Sequence, residues 1–164
     1  MIKQMALGAM LLSWSAAWAA EVKIGALVSG QVDAVMVKPG QSVKTGQTLL
    51  TIDMRRYQAK LQALQAEVKY RELALQDMKI EYEQTLDLFD RAVIARRPYD
   101  RAKLDYELAQ QALQKAQAEL EYHQAWSDYF EIKAPVNAKV KSLAVHKGST
   151  VYKENDPLII LETP

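Results

Sequence analysis

The chain has 164 residues, 49% of them hydrophobic and 25% charged, a composition that suits a folded protein of one domain or one plus an appendage. Its 21 basic residues against 20 acidic ones, without a basic run or an aromatic stacking platform, exclude nucleic acid as a partner on charge grounds. The lack of cysteine removes disulfides, thiol nucleophiles, cysteine zinc sites and a lipid-modified N-terminal cysteine.

Residues 1–19 carry one basic residue, Lys3, an apolar stretch from Met5 to Ala16, and the small-residue pattern Ala17-Trp18-Ala19. They read as a secretory signal peptide cleaved after Ala19, with an uncleaved anchor associated with the inner membrane as the alternative. Either way the remainder is expected outside the cytoplasm.

Residues 20–53 contain Gly30-Gln31-Val32, Val35, Val37, Lys38-Pro39-Gly40, Val43 and Leu49-Leu50-Thr51-Ile52. Short β-branched runs broken by glycine read as strands, and Pro before Gly is the order of a type II turn. The same motif returns about 108 positions later within residues 128–164. There Val32 aligns with Val140, Val35 with Leu143, Val37 with Val145, Gly40 with Gly148 and Val43 with Val151. A one-residue slip then brings Leu49 to Leu158. Neither copy is large enough to bury a core alone, so the two are expected to form halves of one β-domain.

Between the copies, residues 54–127 are rich in Leu, Ala, Gln, Glu, Arg and Lys and predict two helices, with a break near 92–98. Tyr57, Leu61, Leu64, Val68, Arg71, Leu75, Met78, Tyr82, Thr85 and Phe89 alternate four and three apart, a heptad row. Ala102, Tyr106, Ala109, Leu113, Ala116, Leu120 and His123 form a second. Folding about the midpoint between Ala95 and Arg96 sets Phe89 against Ala102, Tyr82 against Ala109, Met78 against Leu113, Leu75 against Ala116, Arg71 against Leu120 and Val68 against His123. The expected fold class is therefore α+β, a split β-domain interrupted by a long antiparallel coiled-coil hairpin. A coiled coil for dimerisation is the alternative, disfavoured by the shortness of the break.

Three phrases, Val28-Ser29-Gly30-Gln31-Val32, Gly40-Gln41-Ser42-Val43-Lys44-Thr45-Gly46-Gln47-Thr48-Leu49 and Ile132-Lys133-Ala134-Pro135, together with the helices, resemble the periplasmic adaptor, or membrane fusion protein, family of bacterial tripartite efflux and type I secretion systems. The resemblance implies a biotinyl/lipoyl-like domain, or barrel-sandwich hybrid, split by an α-hairpin. It further implies a homo-oligomer, or an assembly with other adaptor subunits, between an inner-membrane transporter and an outer-membrane channel. Family members normally continue into a β-barrel and a membrane-proximal domain, whereas this sequence stops at Pro164, so a minimal or truncated form is expected. The family's tip set of Arg, Leu and Ser aligns with Gln84, Leu88 and Ala95, of which only the leucine is kept, and this weighs against docking to a typical duct. Where the second half-motif usually has Gly stands Ala138, and the neighbouring Asn137 is expected to supply the left-handed conformation.

What the break offers is charge: Arg91, Arg96, Arg97, Arg101 and Lys103 against Asp90 and Asp100. Leu88, Arg91, Arg96, Arg97 and Arg101 are the candidate partner-binding residues, with bidentate arginine contacts to acidic groups as the chemistry. A solvated surface with incidental arginines is the competing reading. No catalytic, cofactor or metal site is expected. The position of a carrier lysine is occupied by the helical insert. His123 falls on a heptad row and His146 in a turn, and no nucleophile elbow, phosphate loop or zinc helix is present. The sequence thus points to a non-catalytic periplasmic adaptor without a small-molecule substrate, the alternative being an exported coiled-coil spacer or regulator with no transport role.

Overall fold

The computed structural model describes residues 20–153 and 157–163. The expected signal at residues 1–19 lies outside them. In chain order the elements are β1 (Glu21–Ile24), β2 (Gly30–Val35), β3 (Ser42–Val43), β4 (Thr48–Ile52), α1 (Arg55–Asp90), α2 (Arg96–Ser127), a 3-10 turn (Asp128–Phe130), β5 (Glu131–Lys133), β6 (Ala138–Leu143), β7 (Thr150–Val151) and β8 (Ile159–Glu162). They build the expected α+β barrel-sandwich with a helical hairpin.

The eight strands form two antiparallel sheets, ordered β1-β8-β6-β3 and β5-β4-β2-β7. Replacing each strand by its repeat counterpart turns one order into the other. Each sheet therefore mixes both halves, and neither half has a sheet of its own. The bulge between Val32 and Ala34 on β2 recurs between Val140 and Ser142 on β6.

Physical chemistry explains why the aligned positions repeat. The backbone N–H of Gln41 donates to the Lys38 carbonyl at 3.1 Å, closing a turn with Gly40 at φ 85°, and Ser149 donates to His146 at 3.0 Å around Gly148 at φ 91°. Positive φ at the third turn residue is the type II geometry that glycine adopts without strain. Each turn is then pinned by the opposite half. Gly40 donates to the Val140 carbonyl and Gly148 to that of Val32, both at 2.8 Å. The core comes from both halves, with Leu49, Leu50, Ile159 and Leu161 fully buried and Val32, Val140, Val43 and Val151 beside them. Each such side chain contributes about 1.5–3 kcal/mol on leaving water.

Asn137 departs from expectation. Among the described residues Ala92 is the only non-glycine at positive φ. Asn137 instead acts through its side chain, whose Oδ1 accepts from the Thr45 N–H at 2.8 Å and from the Thr45 hydroxyl at 3.2 Å. Ala138 tolerates a side chain that its counterpart cannot: a Cβ on Gly30 would lie 2.6 Å from Ile52 Cγ2.

The hairpin arms hold 36 and 32 residues, so they extend about 54 and 48 Å. Every residue of the two expected heptad rows is at least half-buried, and Ala102 and Ala116 are fully so. The pairing across the seam differs from expectation. Tyr82 stacks on Tyr106 at 5.5 Å and lies beside Tyr99 at 6.0 Å, while Phe89 stacks on Tyr99 at 4.9 Å. Arg71 lines a groove with Ala112, Lys115 and Ala116, and His123 meets Tyr57. The cause is the position of the bend, which is centred near Val93 because α1 stops at Asp90 and α2 already starts at Arg96.

At the root, Asp53 accepts from the Arg55 backbone N–H at 2.9 Å and from its guanidinium, and Tyr57 packs on Phe130 with ring centroids 4.9 Å apart. The Tyr57 hydroxyl lies 3.0 Å from both Nδ1 and the carbonyl oxygen of His123, tying the two arms together where they leave the sheets.

Candidate functional site: the hairpin tip

The tip is made by one helix ending and the next beginning within five residues, 91–95. The end of α1 is a Schellman motif: Val93 donates to the Leu88 carbonyl and Ala92 to that of Phe89, both at 2.9 Å. This motif demands a left-handed residue after the cap. Ala92 fills that place at φ 56°, where glycine is usual. α2 then starts from an extended Ala95, and Pro98 sits in its first turn, where a missing N–H costs little.

Arg96 and Arg97 occupy the first two helical positions of α2, whose first turn has no acidic residue. Cations there oppose the helix dipole. Asp87 and Asp90 stand in the last turn of α1, which carries no basic residue within the helix. Local pairing offsets both mismatches. Arg91 reaches Asp87 at 3.3 Å, Arg96 reaches Asp100 at 3.4 Å, and Arg101 reaches Asp105 at 2.7 Å. These are exposed pairs, each contributing roughly 0–1 kcal/mol. Arg97 takes part in none of the ion pairs among the described residues.

Leu88, Arg91, Arg96 and Arg97 thus come together at the tip. Arg101 lies about 7 Å further down α2, five residues on from Arg96. Val93 is 62% exposed, adding an apolar contact beside Leu88 that the sequence reading did not single out. Its signal was available: Val93-Ile94 is an apolar pair inside an otherwise charged break. Beneath the tip, the ladder Phe89–Tyr99–Tyr82–Tyr106 stiffens the arms. The Tyr99 hydroxyl beside Tyr82, with partial burial, pushes the Tyr82 hydroxyl above its ordinary pKa.

The tip presents a small apolar knob, Leu88 and Val93, ringed by guanidinium groups. Among the described residues no group of three or more His, Asp or Glu side chains is placed to hold a metal ion. No described helix is long and apolar enough to cross a membrane.

Residues 20–163 match the barrel-sandwich hybrid domain of RND membrane fusion proteins, and the chain belongs to that family. Solved structures share the fold. MacA from Actinobacillus actinomycetemcomitans is 24% identical with a TM-score of 0.74, the match covering 87% of this chain and 50% of that one. ZneB from Cupriavidus metallidurans is 20% identical with a TM-score of 0.64, covering 87% and 60%. A MacA–MexA chimera carrying the Pseudomonas aeruginosa MexA α-hairpin is 28% identical with a TM-score of 0.53, covering 88% and 48%. The chain spans less than two thirds of the length of each.

Proposed function

We propose that this chain is a non-catalytic periplasmic adaptor subunit of a bacterial efflux or secretion system. Its β-domain packs beside other adaptor copies, and its hairpin reaches toward a second protein, linking an inner-membrane transporter to an outer-membrane channel. The observation that carries this reading is the hairpin itself, a rigid arm of about 50 Å ending in an exposed knob of Leu88 and Val93 ringed by arginine. Its membership of the membrane fusion protein family supports the same role.

The test is to place a photoreactive residue at position 97, express the chain in a bacterial envelope, and identify captured proteins by mass spectrometry. Capture of an outer-membrane channel or an adaptor subunit, lost on Arg91→Glu with Arg96→Glu, is expected. Unchanged capture by the charge-reversed variant would overturn the arginine role.

One observation favours the second reading, an exported spacer or regulator. Arg91, Arg96 and Arg101 already have aspartate partners on their own helices, which weakens their pull on a distant one. Recovery of nothing from position 97 supports that reading.

A further inference from the structure

A cleft of about 460 Å³ opens beside the root of the hairpin, where α1 leaves the sheets. Its volume falls within the range of roughly 300–1,000 Å³ usual for small-molecule sites. α1 contributes Arg56, Tyr57 and Lys60 to its lining, the chain at the start of β2 contributes Ser29 and Gln31, and Phe130 and Asp53 complete it. We infer that this cleft binds an amphipathic organic anion, with its carboxylate, sulfonate or phosphate head between Arg56 and Lys60 and its apolar body against Tyr57 and Phe130. The ligand is held and not converted, so the site adds a binding role to the adaptor without adding a reaction.

The charge of this cleft is an arrangement that the rest of the arms avoid. From Lys69 to Lys115 every basic residue has an acidic one three or four positions away, the spacing at which helical side chains meet. Arg56 and Lys60 stand four apart, and α1 has no acidic residue before Glu67, so on their own helix each has the other cation for a neighbour. Asp53 is the one carboxylate among the described residues that line the cleft, and Arg55 claims it. The backbone N–H and the guanidinium of Arg55 donate to both Asp53 oxygens at 2.6 to 3.0 Å. Arg56 and Lys60 take part in none of the ion pairs among the described residues. Two cations at one opening, with its carboxylate already committed elsewhere, are complementary to an anion.

The remaining lining supports an amphipathic ligand over a bare ion. Arg56 supplies a planar fork of donors and Lys60 a rotatable ammonium, both exposed to an incoming head group. The Ser29 hydroxyl accepts from the Lys153 backbone N–H at 2.9 Å and keeps its own proton to donate. Tyr57 and Phe130, with ring centroids 4.9 Å apart, supply aromatic surface for an apolar body. The other flank of the α1 root provides the contrast. There a cleft of about 430 Å³ is lined by Asp33, Asp53 and Glu131, with Arg55 as its one basic group among the described residues. Two openings of similar size and opposite charge, on two faces of one helix, sort ligands by the sign of their charge.

The exported chain, labelled for NMR, is titrated with naphthoate while its backbone amide shifts are followed. Expected is one naphthoate per chain, with the shifts concentrated at Ser29, Gln31, Tyr57 and Lys60. Arg56→Gln with Lys60→Gln should weaken binding about tenfold or more, because the charge-assisted bonds to the head group are lost. Lys69→Gln with Lys79→Gln removes the same charge further along α1 and should leave the affinity unchanged. Glutamine is a good helix former, and matching circular dichroism confirms that the arms of each variant are intact. Naphthylmethylamine, with the same rings and the opposite charge, should not move these amides. Acetate, with the head group alone, should bind about tenfold more weakly or worse. No shifts with naphthoate, equal affinity in the Arg56 and Lys60 variant, or the same shifts from the amine would each overturn the site. The readout involves neither the tip nor a protein partner, so its failure and a failure of capture at position 97 are separate results.

Discussion

The two regions of the molecule are stabilised in opposite ways. The β-domain holds the buried core, with contacts between residues more than a hundred positions apart, whereas the hairpin's fully buried residues are two alanines, Ala102 and Ala116. The hairpin relies on half-buried rows, stacked rings and ion pairs between residues three or four apart. Its stability is local and graded, and that of the β-domain is long-range and cooperative. A domain of the second kind can anchor an arm of the first without sharing its weaknesses.

The comparison breaks first in the core. Leu161→Ala should lower the stability of the β-domain by about 2–5 kcal/mol while the helical circular dichroism of the folded protein is unchanged, as read by chemical denaturation. Met78→Asp should do the reverse. A charge in the half-buried row should cost the arms about 2–3 kcal/mol, with helical signal lost on warming before the amide protection of the strands. Simultaneous loss of both signals would show that the regions are not independent.

Smaller changes sharpen the picture at the two ends of the arm. Tyr57→Phe removes the hydroxyl that bridges to His123 and should cost about 1 kcal/mol, appearing as earlier fraying of the root in hydrogen exchange. Ala92→Gly should stabilise the hairpin by about 0.5–1 kcal/mol, since glycine adopts the left-handed cap without strain. The smallest effect is a pH dependence. Hydrogen bonds from the Arg55 side chain and backbone hold the Asp53 carboxyl at about 2, below its ordinary 3.8. The ionised form therefore contributes in full above about pH 4, and its contribution is lost as pH falls through about 2. Asp53→Asn should flatten that limb of the acid titration of stability.

The sequence made the two halves legible because duplication repeats the same physical demands. Val32 and Val140, or Gly40 and Gly148, recur because each half must complete the other's sheet and turn. The heptad rows were legible for a similar reason, since periodicity marks which face is buried whatever lies opposite. Pairing across the seam was not. It depends on where α1 stops, and α1 stops by placing Ala92 in a conformation that the sequence hides, because glycine is its usual sign. The same signal would have favoured Asn137 as a left-handed residue, yet its value proved to be a side-chain acceptor for Thr45. At the tip, the arginines could be found by charge alone. Their aspartate partners one turn away became clear only once the helix boundaries were known.

The interleaving of the halves also sets an order of events during synthesis. When the chain has emerged only as far as Ile52, β2 and β4 lack β5 and β7, β3 lacks its one neighbour β6, and their apolar faces have nothing to cover them. The next segment to emerge brings α1 and α2 against each other through contacts nearer in sequence than those between the halves, such as Phe89 on Tyr99 and Tyr82 on Tyr106. Once zipped, it holds the strands that flank it, β4 and β5, side by side with Thr51 opposite Glu131. A closure across nearly eighty residues thereby becomes a search over a few. The arm is thus the jig on which its own anchor is assembled.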